Sequence, residues 1–156
     1  MAIVFVIMPV FSSVIEKYLI LNKAQIIKDA VDITNIAAYN ALSAESLSRN
    51  SVLLDNSKLE SIYSQLLAEN LKLDYDLYPD EDSIADARVN IDSIIIYTAG
   101  FPLTCPKGIP ITRPSVHSQI TVPVKPMLYR SVILNILNKE YIELKIHVDS
   151  DIPVNN

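Results

Sequence analysis

An α+β fold is predicted for this chain, with one long N-terminal helix packed on a small antiparallel sheet. Three observations predict it. An uncharged apolar run from Met1 to Ile15 passes into helical spacing that continues to about Ala44. A second helical stretch spans about Lys58 to Leu71, and three later segments alternate with period two. At 156 residues the chain has room for one domain and one core.

The first element is the N-terminal helix. Ile3, Val4, Phe5, Val6, Ile7, Pro9, Val10 and Phe11 form the body of the apolar run, which Glu16 and Lys17 interrupt before Tyr18-Leu-Ile-Leu21. A bilayer core takes roughly 20 apolar residues, so residues 1–21 read as a membrane anchor. Lys17 can snorkel to the interface, with Glu16 paired to it or protonated. A cleaved signal would need a basic start and a small-residue cleavage site, and neither is present. A buried core helix is the competing soluble reading. Pro9 removes one backbone hydrogen bond, which membrane helices tolerate.

Residues 22–45 continue the same helix as an amphipathic stretch. Ile20, Ala24, Ile27, Val31 and Ala38 share one face, flanked by Ala30, Ile33, Ala37 and Ala41. Lys23, Lys28, Asp29, Asp32 and Asn35 are expected to make the opposite face wet. A helix from Ala2 to Ala44 would be on the order of 65 Å long. Its packing residues are expected to be Ile27, Ala30, Val31, Ala37, Ala38 and Ala41, whose small side chains admit a close neighbour.

Residues 46–156 form the predicted α+β domain. Ser43 to Leu54 is polar and ends the first helix, and Ser57 with Glu60 has capping-box spacing ahead of Leu59, Ile62, Leu66 and Leu73. Asp74 to Asp82 is an acidic loop. It fails the calcium-loop test, because Ala85 and Ile91 stand where glycine and glutamate are required. Ala87, Val89 and Ile91 alternate into Ile94-Ile-Ile-Tyr97, a strand expected to be covered on both faces. Gly100 to Pro114 carries four prolines, Pro102, Pro106, Pro110 and Pro114, and reads as a long surface loop. Val116 to Val124 forms a strand, Pro126 to Leu137 a short helix or irregular link, and Ile142, Leu144, Ile146 and Val148 the inner face of the last strand.

Composition excludes several function classes. A net charge of −5 offers no basic footprint for nucleic acid. Cys105 is the only cysteine, so no internal disulfide or multi-cysteine metal site can form. Gly100 and Gly108 are the only glycines, which excludes a glycine-built phosphate cradle. His117 and His147 fall on the expected solvent faces of two strands and could meet if those strands pair, a weak metal case without a third ligand. No catalytic residue, cofactor, metal or small-molecule substrate is expected, and Cys105 reads as an inert loop thiol.

The order Ile7-Met8-Pro9-Val10 followed by Lys28-Asp29-Ala30-Val31-Asp32-Ile33-Thr34-Asn35-Ile36-Ala37-Ala38-Tyr39-Asn40-Ala41 resembles the N-terminal region of the TadE/TadG-like pseudopilins of tight-adherence (Flp-type) pilus systems. The specific part covers about residues 3 to 42. The resemblance implies a single-pass, non-enzymatic minor pilin-like subunit or pilus-assembly protein in the cytoplasmic membrane. Its domain would lie outside that membrane or at the cell surface, with other pilin-like subunits or the assembly machinery as partners. Lys17, Lys23 and Lys28 after the span point the other way under the positive-inside rule. A membrane-tethered ligand-binding module, using Gly100 to Pro114 and the loop near Asp80, is the alternative.

Overall fold

A computed structural model describes residues 2–49, 56–128 and 130–152. The side chains of residues 2–6, 43–49, 56 and 57 lie outside that description, so the expectations for Ile3, Val4, Phe5, Val6 and the Ser57 cap fall beyond it.

The chain is α+β. Helix α1 (Ala2–Arg49) is followed by α2 (Asn56–Leu71), strand β1 (Asn90–Tyr97), the short strands β2 (Leu103–Thr104) and β3 (Pro110–Ile111), β4 (Ser115–Val124), α3 (Arg130–Leu137) and β5 (Ile142–Asp151). The main sheet has the order β1-β4-β5 and is antiparallel throughout; β2 and β3 make a separate hairpin. The polar stretch expected to end α1 near Ser43 does not do so, and the helix continues to Arg49.

α1 runs unbroken because its sequence contains no glycine and only Pro9 as a breaker. Ser13 donates its hydroxyl to the Pro9 carbonyl at 2.7 Å, a back-bond of the kind that serine makes in bent or membrane helices. With so little glycine, the helix ends use other residues for the left-handed position. Lys72 (φ 54°) and Asn138 (φ 49°) close α2 and α3. The Leu73 amide donates to the Ala68 carbonyl and the Lys139 amide to the Leu134 carbonyl, the 6→1 bond of a Schellman motif.

The core lies between one sheet face and the second half of α1 together with α2. Ile27, Val31 and Ala38 of α1 meet Tyr63, Leu67 and Leu71 of α2 and Ile120, Val122, Val124, Ile146 and Val148 of the sheet. The buried stripe of α2 is Leu59, Tyr63, Leu67 and Leu71, while the expected Ile62 and Leu66 flank it. Ala30 and Ala37 are half-buried, and Ala41 is exposed rather than packed.

Two expectations about faces are corrected. Asp32 and Asn35 do not form a wet face. Asn35 is buried and donates to Ser150 Oγ at 2.8 Å and to the Val116 carbonyl, while Ser150 donates to Asp32. Sequence spacing cannot distinguish a polar residue that meets water from one that meets a strand's polar groups. The strand covered on both faces is β4, which lies in the centre, whereas Ile94 to Tyr97 lie on the edge strand β1 and are only half-buried. Gly100 to Pro114 is largely exposed, as expected of a surface segment, but it contains the short β2–β3 hairpin, and Cys105 and Ile111 within it are buried.

Candidate functional site

Two regions hold side chains that the fold itself does not explain. The first is the N-terminal stem of α1. Ile7, Met8, Val10, Phe11 and Val14 are 59–62% exposed, and Tyr18 and Leu21 are also exposed. A broad face of this part of the helix therefore exposes apolar side chains, although the same helix builds the core from Ile27 onward. Among the described residues, no helix is long and apolar enough to cross a membrane.

Glu16 marks the level at which the domain first touches the stem. It is not paired with Lys17; its side chain is buried and accepts the backbone N–H groups of Met127 (3.0 Å) and Leu128. A carboxylate receiving two amides is a strong anchor for the segment that leads into α3. About two turns further along, Lys23 reaches Asp86 at 3.7 Å and the Lys125 carbonyl at 3.4 Å. α3 itself buries none of its residues. Met127, Val132, Ile136 and Leu137 are at least half exposed, and Lys125, Arg130 and Lys139 line an open groove beside the helix. Glu16 thus ties the segment ahead of this exposed apolar helix to the base of the exposed apolar stem.

The second region lies on the sheet face opposite the core. In β4, Val116, Ser118, Ile120, Val122 and Val124 point toward the helices, so His117 points the other way. Antiparallel pairing sets His117 directly across from Asp149, with His147 opposite Gln119 on the same face. His117 Nδ1 lies 2.7 Å from Asp149 Oδ1 and 3.1 Å from His147 Nε2, and His147 Nε2 lies 3.2 Å from Asp149 Oδ2.

The β2–β3 hairpin delivers Cys105 to this face. Cys105-Pro106-Lys107-Gly108 forms a tight turn in which the Gly108 amide donates to the Cys105 carbonyl at 2.8 Å. Proline in the second position suits such a turn, and Gly108 takes the left-handed φ of 81° at its end. Cys105 is buried, and its Sγ receives the Lys107 amide at 3.4 Å. One donor atom each of Cys105, His117, His147 and Asp149 lies within 4.8 Å of all the others. Tyr97 sits at the margin, its phenol held above its ordinary pKa by burial and then by the neighbouring Cys105 and Asp149.

Sequence reasoning placed the two histidines on solvent-facing sides. His117 is in fact wholly buried, because the hairpin and the neighbouring strands cover that side. Asp149 was missed as a partner, although its position two residues after His147 puts both on one face of a strand. The contact with Cys105 had no sequence signal, since it depends on how a proline-rich segment folds back. The acidic loop is a different matter: Asp74 Oδ1 accepts the amides of Asp76 and Tyr78, a local turn that uses the carboxylate internally. No protein-family model, no curated protein and no solved structure matches the chain.

Proposed function

We propose that this chain is a membrane-anchored, non-enzymatic, pilin-like assembly subunit. Its apolar stem is seated in lipid or among the stems of other subunits, and its α+β domain is held outside the cytoplasmic membrane. The observation that carries this reading is the exposed apolar collar from Ile7 to Val14 on a helix whose other half is core. At ~1.5–3 kcal/mol for each large apolar side chain fully removed from water, seating Ile7, Val10, Phe11 and Val14 contributes on the order of 4–7 kcal/mol at the exposure they have. Partner chemistry follows from this. Lipid acyl chains or a second copy of the same helix would cover the collar, and the basic side chains near α3 would suit an anionic headgroup layer.

Glu16 supports the same reading. The acid that interrupts the apolar run is turned into the domain, so lipid at the level of Ile15 does not meet its carboxylate. The resemblance of residues 3 to 42 to the tight-adherence pseudopilins adds the assembly role. Carbonate extraction tests the anchoring: the full-length chain is expected in the membrane pellet, and a Val10→Asp/Phe11→Asp variant in the supernatant with an unchanged melting temperature. Recovery of the unaltered chain as a freely soluble monomer without detergent would overturn the proposal.

A further inference from the structure

We propose that Cys105, His117, His147 and Asp149 bind a divalent transition-metal ion of the zinc class. This inference goes beyond the assembly role and stands independently of it. The donor set is the first argument. A thiolate, two imidazoles and a carboxylate are the ligands that borderline ions such as zinc(II) and cobalt(II) accept, whereas magnesium and calcium want oxygen alone.

Geometry is the second. Ligands 2.0–2.3 Å from a tetrahedral ion stand roughly 3.3–3.8 Å from one another. Here the oxygen and nitrogen donors are 2.7, 3.1 and 3.2 Å apart, and no pair in the set of four exceeds 4.8 Å. A small opening of the three sheet ligands and a small approach of Sγ would complete the shell. The three sheet ligands come from adjacent strands in fixed register, so they are preorganised; the fourth comes from the hairpin.

The third argument is unpaired polarity. Asp149 Oδ2 is buried and makes no hydrogen bond, with only the ion-pair approach of His147 Nε2 at 3.2 Å. His117 Nδ1 also faces both Asp149 and His147, yet a ring nitrogen carries at most one hydrogen to share between them. Buried polar groups in this condition are destabilising, and a cation among the donors offsets that. The ion would also tie the β2–β3 hairpin to the sheet, in a position where a carboxylate-bridged histidine pair alone would give Cys105 no part.

Titration of the reduced full-length chain with cobalt(II), followed by zinc(II), tests the site. One equivalent of cobalt is expected to give the intense visible bands of a tetrahedral ion plus a thiolate-to-cobalt charge-transfer band in the near ultraviolet, both abolished by zinc. Cys105→Ser should remove the charge-transfer band and weaken binding, and His147→Asn should weaken it as well. Asp80→Asn in the acidic loop should change neither. In the unaltered chain, bound zinc should protect Cys105 from alkylation, a readout that needs no variant to fold. A folded chain with no tetrahedral cobalt spectrum, or zinc that leaves Cys105 alkylation unchanged, would overturn the proposal.

Discussion

Ile33 and Val14 lie on the same helix, are both β-branched, and are nearly equally exposed at 58% and 62%. Their neighbourhoods differ completely. Ile33 is flanked by the buried Thr34 and Asn35 and by the half-buried Ala30 and Ala37, on a segment that packs against α2, β4 and β5. Val14 belongs to a collar with Ile7, Val10 and Phe11 on which the domain places nothing. An isolated exposed apolar side chain is ordinary on a protein surface, whereas a contiguous exposed patch marks a contact surface. The difference teaches that α1 is one helix in two environments: its second half is covered by its own domain, and its first half leaves its apolar side chains exposed.

The largest effect that could break this comparison comes from exchanging one charge between the halves. Val31→Asp should destabilise the domain by about 4 kcal/mol or more, since it would bury an uncompensated carboxylate among Ile27, Tyr63 and the sheet. Val10→Asp should leave the domain's urea midpoint within error. Equal losses from both would mean that the stem is also part of the folded core.

Next in size is the joint between the halves. Glu16→Ala leaves the amides of Met127 and Leu128 without their acceptor and should cost about 1–2 kcal/mol. Amide exchange should accelerate at Met127 and Leu128 far more than in β4. If exchange rises uniformly across the domain, the carboxylate is a general core contact and not a local clamp on α3.

How much of this was legible follows from which physics each element obeys. α1, α2, β4 and β5 could be read because hydrophobic periodicity reports backbone geometry directly, and β5 did so most clearly from Ile142 to Val148. The inward turn of Asn35 could not be read, because its partners Ser150 and Val116 are more than 80 residues away in sequence. Glu16 misled for the same reason: beside Lys17 it looks like half of a local ion pair, yet its acceptor role is set by a loop 111 residues later. The four-residue cluster was half visible. Two histidines on alternating strands could be suspected of meeting, but Asp149 became a partner only through the β4–β5 register, and Cys105 only through the hairpin.

The smallest effect concerns pH. Burial pushes the Tyr63 phenol up to about 12 from its usual 10.0, with its hydroxyl beside Ser118. The folded value is raised above the unfolded one, so ionisation favours the unfolded chain. The stability contributed by the neutral phenol is complete below about pH 10 and is lost as pH rises from 10 toward 12. The loss at pH 11 is about 1.4 kcal/mol. Urea unfolding at pH 9 and pH 11 should show this decline in the unaltered chain and a flatter one in Tyr63→Phe. An identical decline in both would show that Tyr63 does not carry it, and would weaken the picture of a dry core behind the second half of α1.

Matched probes on the two halves of α1 measure whether its first half prefers an apolar environment. A polarity-sensitive fluorophore is attached in turn at Val14→Cys and at Ile33→Cys, each in a Cys105→Ser background, and the full-length chain is added to lipid vesicles containing a quencher confined to the acyl chains. A blue shift and strong quenching are expected at position 14, and a water-like, unquenched signal at position 33. Water-like signals at both positions, with the protein monomeric in the same sample, would contradict that preference.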